Sequence, residues 1–146
     1  QSTLHLRGIA GTTNGPCLSF EDMLKENNHT GKTIHILKVD VEGAEYGAFP
    51  SIFKLIKDNR LHIYQILIEL HRSNPQTIRA FAQNMTARGY LMSHKERNGW
   101  GCRGVTCVEF AYQSYHWYQT VFQSTHCPLC PSFHWKLEDD EIYLNS

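Results

Sequence analysis

The stretch Ile34-His35-Ile36-Leu37-Lys38-Val39-Asp40-Val41-Glu42-Gly43-Ala44-Glu45 decides the fold. Ile34, Ile36, Leu37 and Val39 form a dense aliphatic run with no turn residue before Gly43, the pattern of a strand buried on both faces and hence of a parallel sheet. Phe49, Ile52, Phe53 and Ile56 then recur at i, i+3, i+4 and i+7, the spacing of one helix face. Pro50 is expected to break that pattern into a short turn and a second helix. A second run, Ile63, Tyr64, Ile66, Leu67, Ile68 and Leu70, reads as another buried strand, closed by Glu69-Leu70-His71 and the polar loop Arg72-Ser73-Asn74.

Outward from these strands the signals are local. Asn74 is a good N-cap with Pro75 at the first helical position, Ile78, Phe81, Ala82 and Met85 share a face, and Gly89 falls where a left-handed C-cap belongs. Upstream, Ser19 can cap a short helix carrying Phe20, Met23 and Leu24, with Asp22 in its first turn and its end between Asn27 and Gly31. Residues 1 to 16, with Leu4-His5-Leu6 and then Gly8, Gly11 and Gly15, read as a strand end or loop. Downstream, Tyr90 to Ser93 and Val105 to Tyr112 suggest an antiparallel hairpin with a long connection through Asn98-Gly99. Strands alternating with helices predict an α/β layered fold, its sheet mostly parallel with one antiparallel strand at the end. Residues 1–112 form that unit, and 113–146 read as an aromatic and Cys/His-containing tail.

Composition narrows the function. The 146 residues are 41% hydrophobic, with 14 basic against 14 acidic side chains and a mean hydropathy of -0.42, which describes one globular domain rather than a disordered chain. No apolar run approaches the length of a membrane span, and no basic surplus is present to drive nonspecific nucleic-acid binding. The chain opens on Gln1 with no signal-like segment, so the start of the gene product is expected upstream. Of the five cysteines, Cys17, Cys102 and Cys107 show no close spacing that signals a disulfide framework, which leaves redox compartment and localisation open. The sequons at Asn28 and Asn84 permit glycosylation only if the chain is secreted.

In an open α/β sheet ligands bind outside the carboxyl ends of the strands, here Asp40 to Glu45 and Glu69 to His71. If the two strands pair, about 4.8 Å apart, a carboxylate and an imidazole converge over one crevice. They can act as a general base and its orienter, or as ligands of a hard or borderline divalent metal. The competing structural reading places Asp40, Glu42 and Glu45 at a helix N-terminus to meet its dipole, Glu69 against a helix, and His71 on a loop. Gly43 permits a tight strand-to-helix turn or the close approach of a ligand.

The tail raises a metal hypothesis, with Cys127, Cys130 and His134, plus His126 or His116, as zinc ligands; a local disulfide or two unpaired thiols are the alternatives. Trp100, Trp117 and Trp135 could instead serve as the contact surface of an inactive interaction module. A third reading takes Leu4 to Leu6 as a first strand and Gly8 to Gly15 as a phosphate loop, with Asp40 on a ribose, which would make a nicotinamide-binding unit.

Ser19 to Leu24, Ile36 to Glu45 and Ile66 to His71 together resemble the second half of an FkbM-type methyltransferase domain, Lys38-Val39-Asp40-Val41-Glu42-Gly43-Ala44-Glu45 being the specific part. With Gly89-Tyr90 the resemblance covers about residues 18 to 112. It implies a Rossmann-like half-domain that uses S-adenosylmethionine to methylate an oxygen of a small-molecule or sugar-like acceptor. Asp40 would lie beside the reacting methyl group, with Glu42, Gly43 and Glu45 in the same motif and Glu69 and His71 facing the acceptor; Asp40 or His71 would be the base. The family's first strand, glycine-rich loop and ribose-binding acid are not recognisable before residue 18, so the chain is expected to be an enzyme fragment whose missing N-terminal half supplies the cofactor site.

Overall fold

The computed structural model describes residues 8–15, 17–99, 102 and 106–124. Two short strands, β1 (Gly8–Ala10) and β2 (Cys17–Ser19), pair in parallel and lead into helix α1 (Phe20–Glu26). Strand β3 (Thr33–Val39), helix α2 (Glu45–Lys57), strand β4 (His62–His71), helix α3 (Pro75–Thr86) and strands β5 (Tyr90–Arg97) and β6 (Cys107–Ser114) follow. Helix α4 (Tyr115–Ser124) closes the described chain, so structure continues into the stretch read as a tail.

The main sheet runs β3-β4-β6-β5. It is a mixed sheet rather than a mostly parallel one: β3 and β4 pair in parallel, while β6 is antiparallel to both β4 and β5. The opposing strand therefore lies inside the sheet, not at its edge. Its placement follows from pairing: β6 takes up the edge of β4 opposite β3, with Phe110 beside Ile68 and Val108 beside Leu70.

Register puts Val39, Ile68 and Phe110 in one row, all buried, and Lys38, Leu67 and Ala111 in the next row on the opposite face. Helices α2 and α3 cover the buried face, where Phe49 and Phe53 pack edge-on and tilted against Phe81, and Phe81 against Tyr112. The expectation that both central strands are buried on both faces holds better for β4 than for β3. Ile36 is 60% exposed and Lys38 faces solvent, because among the described strands β3 has a neighbour on one side only.

Pro50 does not split the helix after Gly43; α2 is continuous through it. Proline removes the hydrogen bond to the carbonyl four residues back, here Tyr46. Both residues are exposed, so water can satisfy that carbonyl, while Ala48, Phe49, Ile52, Phe53 and Leu55 stay buried. At a typical gain of about 1.5–3 kcal/mol per large buried apolar side chain, this face outweighs a proline cost of about 3 kcal/mol.

The capping signals translate directly into structure. Ser19 Oγ accepts the Asp22 N–H at 3.1 Å. Asn74 Oδ1 accepts the N–H groups of Gln76 and Thr77, and Thr77 Oγ1 accepts the Asn74 N–H at 2.9 Å, a complete capping box. No helix among the described residues is long and apolar enough to cross a membrane.

Helix α3 separates two contributions to stability. Phe81→Ala should cost about 3–5 kcal/mol by loss of the aromatic contacts, and Asn74→Ala about 1 kcal/mol by loss of the cap. Equilibrium urea unfolding measures both, and an equal small loss for the two would show that packing on the sheet does not hold α3.

Candidate active site

Parallel pairing of β3 and β4 aligns Val39 with Ile68, so the chain leaves the sheet at Asp40 and at Glu69 to His71 side by side. Each exit is turned by a residue of positive φ: Glu42 at 54° followed by Gly43 at 108°, and Arg72 at 50°. Gly43 answers to the backbone rather than to crowding, since a side-chain carbon there would meet only the Arg72 side chain at ordinary contact distance. The turn after β3 delivers Glu45 to the first position of α2, where it is fully buried.

Glu45 organises the strand ends. Its Oε1 accepts the Val41 N–H at 3.3 Å and lies 2.8 Å from His71 Nδ1. With Nδ1 donating to that carboxylate, neutral His71 keeps its lone pair on Nε2. Around Nε2 stand Glu42 Oε2 at 3.5 Å, Asp40 Oδ1 at 3.7 Å and Glu69 Oε1 at 3.7 Å, all beyond hydrogen-bond length. Glu69 is itself held by Asn98, whose Nδ2 donates to Oε1 at 2.8 Å.

Asp40, Glu42, Glu69 and His71 line one open cavity of about 800 Å³, together with Arg72, Asn98, Thr106 and the Cys102–Cys107 pair. Its volume is in the range of small-molecule sites. The strand ends thus bring together Asp40, Glu42, Glu45, Glu69 and His71, and Gly43 shapes the turn between them. Glu45 and Glu42 do lie beside the start of α2, but only Glu45 sits inside the helix, and its carboxylate is engaged by His71.

Several neighbours escaped the sequence reading. Asn98 was a turn signal; it is also a ligand of Glu69. Cys102 and Cys107 are joined by a disulfide with their Cα atoms 5.7 Å apart, contrary to the expectation from their spacing. No signal in the sequence marks the pair: Cys107 opens β6 opposite His71, a placement that only the sheet register gives. Ser73 N–H donates to the Thr106 carbonyl and Asn98 N–H to the Cys107 carbonyl, closing the rim.

The remaining candidates fall elsewhere. Cys127, Cys130, His126, His134, Trp100, Trp135 and Leu4 to Leu6 lie outside the described residues. His116 is exposed on α4, and Trp117 stacks on Tyr64 with ring centres 5.5 Å apart, half-buried against the sheet. Gly11 packs against α2, where a side-chain carbon would lie 2.5 Å from the Gly47 carbonyl oxygen.

A family model described as a methyltransferase domain matches residues 7–114. No curated protein and no solved structure matches the chain.

Burial opposes a charge on His71, yet the hydrogen bond to Glu45 and the fields of Glu45, Glu69 and Glu42 outweigh it and raise the pKa above its ordinary value. A folded-state pKa above the unfolded one stabilises the fold fully below the unfolded value of about 6.5, and the contribution is lost as pH rises through the folded value. Stability should therefore decline above about pH 6.5, and His71→Gln should flatten that decline. An NMR titration of the His71 ring checks the origin: a midpoint at or below about 6.5 would mean that the surrounding carboxylates do not hold the proton.

Proposed function

The chain belongs to a family of methyltransferase domains, and we propose that it is part of an enzyme that transfers a methyl group from S-adenosylmethionine to an oxygen of a small-molecule or sugar-like acceptor. The observation that carries this reading is the meeting of Asp40, Glu69 and His71 at the carboxyl ends of two parallel strands, over a cavity of about 800 Å³. Within the family, the Lys38 to Glu45 string and the Glu69-Leu70-His71 strand end support an FkbM-like placement.

The donor set suits the cationic sulfonium end of S-adenosylmethionine, because Asp40, Glu42 and Glu69 present carboxylates to the cavity. The group supplies an electrophilic methyl when bound. The chain's own residues position and deprotonate the acceptor. Glu45 fixes the His71 ring so that Nε2 faces the cavity, and Asp40 stands 3.7 Å away, 42% exposed and able to orient a hydroxyl. Asp40 or His71 Nε2 then takes the hydroxyl proton, as in-line transfer to oxygen requires.

The structural alternative gives Asp40 only a role at the strand end, and the two readings separate in one comparison. Asp40→Asn should lower methyl transfer by about 10²–10⁴-fold, the usual worth of a positioned acid or base, while changing stability by no more than about 0.5 kcal/mol at so exposed a position. Transfer from labelled S-adenosylmethionine to a panel of hydroxylated acceptors, run on the full-length gene product, gives the first quantity, and thermal unfolding gives the second. Parallel loss of folding and transfer would assign Asp40 to structure.

A further inference from the structure

We propose that Asp40, Glu42 and His71 form a binding site for one divalent cation of borderline hardness, of the manganese or zinc kind, with Glu69 beside it. Their ligand atoms all lie within 4.8 Å of one another. The separations from His71 Nε2, 3.5 Å to Glu42 and 3.7 Å to Asp40 and Glu69, are too long for hydrogen bonds. They are near the spacing of two donors that share a tetrahedral ion, since bonds of about 2.1 Å meeting at about 110° set their ends about 3.4 Å apart.

The imidazole makes this more than a group of acids. The His71 side chain is nine-tenths buried, and its Nε2 has no hydrogen-bond partner among the described residues while pointing into the carboxylates. Behind it, the fully buried Glu45 holds Nδ1 at 2.8 Å. A carboxylate behind a histidine fixes the tautomer and raises the basicity of the nitrogen presented to a metal.

Charge and donor type define the ion. Among the described lining residues, Asp40, Glu42 and Glu69 stand against the single guanidinium of Arg72, an excess that a divalent cation offsets. One imidazole nitrogen with carboxylate oxygens suits manganese or zinc better than calcium, which prefers oxygen alone. Thiolate coordination is closed off on this side of the cavity, because Cys102 and Cys107, which adjoin Glu69, are bonded to each other.

Ion binding and proton acceptance use the same Nε2 lone pair and exclude one another in time. The inference rests on donor geometry and not on methyl transfer, so the two readings fail separately.

Titration of the purified chain with manganese chloride alone, followed by calorimetry and by the electron paramagnetic resonance of the free ion, should show one ion bound per chain. Glu42→Gln should weaken binding about ten-fold or more, and His71→Asn should weaken it further. The Glu42 side chain is 86% exposed, so its replacement leaves folding intact and carries the test even if the His71 variant does not fold. Manganese should also broaden the His71 ring resonances before those of His29 or His94. Absence of binding at about 1 mM ion by a chain with native circular dichroism would overturn the proposal, as would affinity that Glu42→Gln leaves unchanged.

Discussion

The hydrogen bond between Glu45 and His71 is the constraint on which the functional end of this domain depends. A fully buried carboxylate is costly unless its oxygens are engaged. Oε1 of Glu45 accepts from Val41 N–H and from His71 Nδ1, one donor from the turn after β3 and one from the last residue of β4, while Oε2 is buried with no hydrogen-bond partner among the described residues. Oε1 therefore ties the start of α2 to both strand ends. It fixes which imidazole nitrogen faces the cavity, and that choice sets the chemistry of the site.

The surrounding architecture supplies what that bond needs. Parallel pairing gives the two exits the same direction, and β6 covers the far edge of β4, with Cys107 opposite His71 and Glu109 opposite Glu69. The aromatic contacts of Phe49, Phe53 and Phe81 anchor α2 and α3 on the buried face. Left-handed backbone at Glu42 and Arg72 turns both loops within a residue or two of the sheet. Such conformations cost of order 1–3 kcal/mol each in a residue with a side chain, and they persist where the packing around them dictates the path.

Much of this was legible because it is local. Aliphatic density marked β3 and β4, Ser19 and Asn74 marked helix starts, and Gly43 marked the turn, since each signal lies within a few residues of the feature it specifies. The insertion of β6 between β4 and β5 was not legible, because strand order depends on which edges are free after the helices have packed. Pro50 misled for a related reason: its local penalty is real, but the buried face of α2 outweighs it. The Cys102–Cys107 pairing and the Asn98 to Glu69 contact depend on where Asn98 and Cys102 lie relative to β4 and β6, a distance in space that spacing along the chain does not encode.

The candidate residues were identified as a set, yet their division of labour emerged only in three dimensions. From spacing alone, Asp40, Glu42 and Glu45 are three carboxylates in six residues, and only the family resemblance sets Asp40 apart. In the fold, Glu45 is sealed inside and acts through His71, Asp40 is partly open to the cavity, and Glu42 is almost wholly exposed. Burial alone separates an orienting group from one that can meet a ligand. A buried acid holding a histidine, with exposed acids ringing its free nitrogen, is poised for a positive partner at Nε2, whether that partner is a proton drawn from an acceptor hydroxyl or a cation that fills the ring.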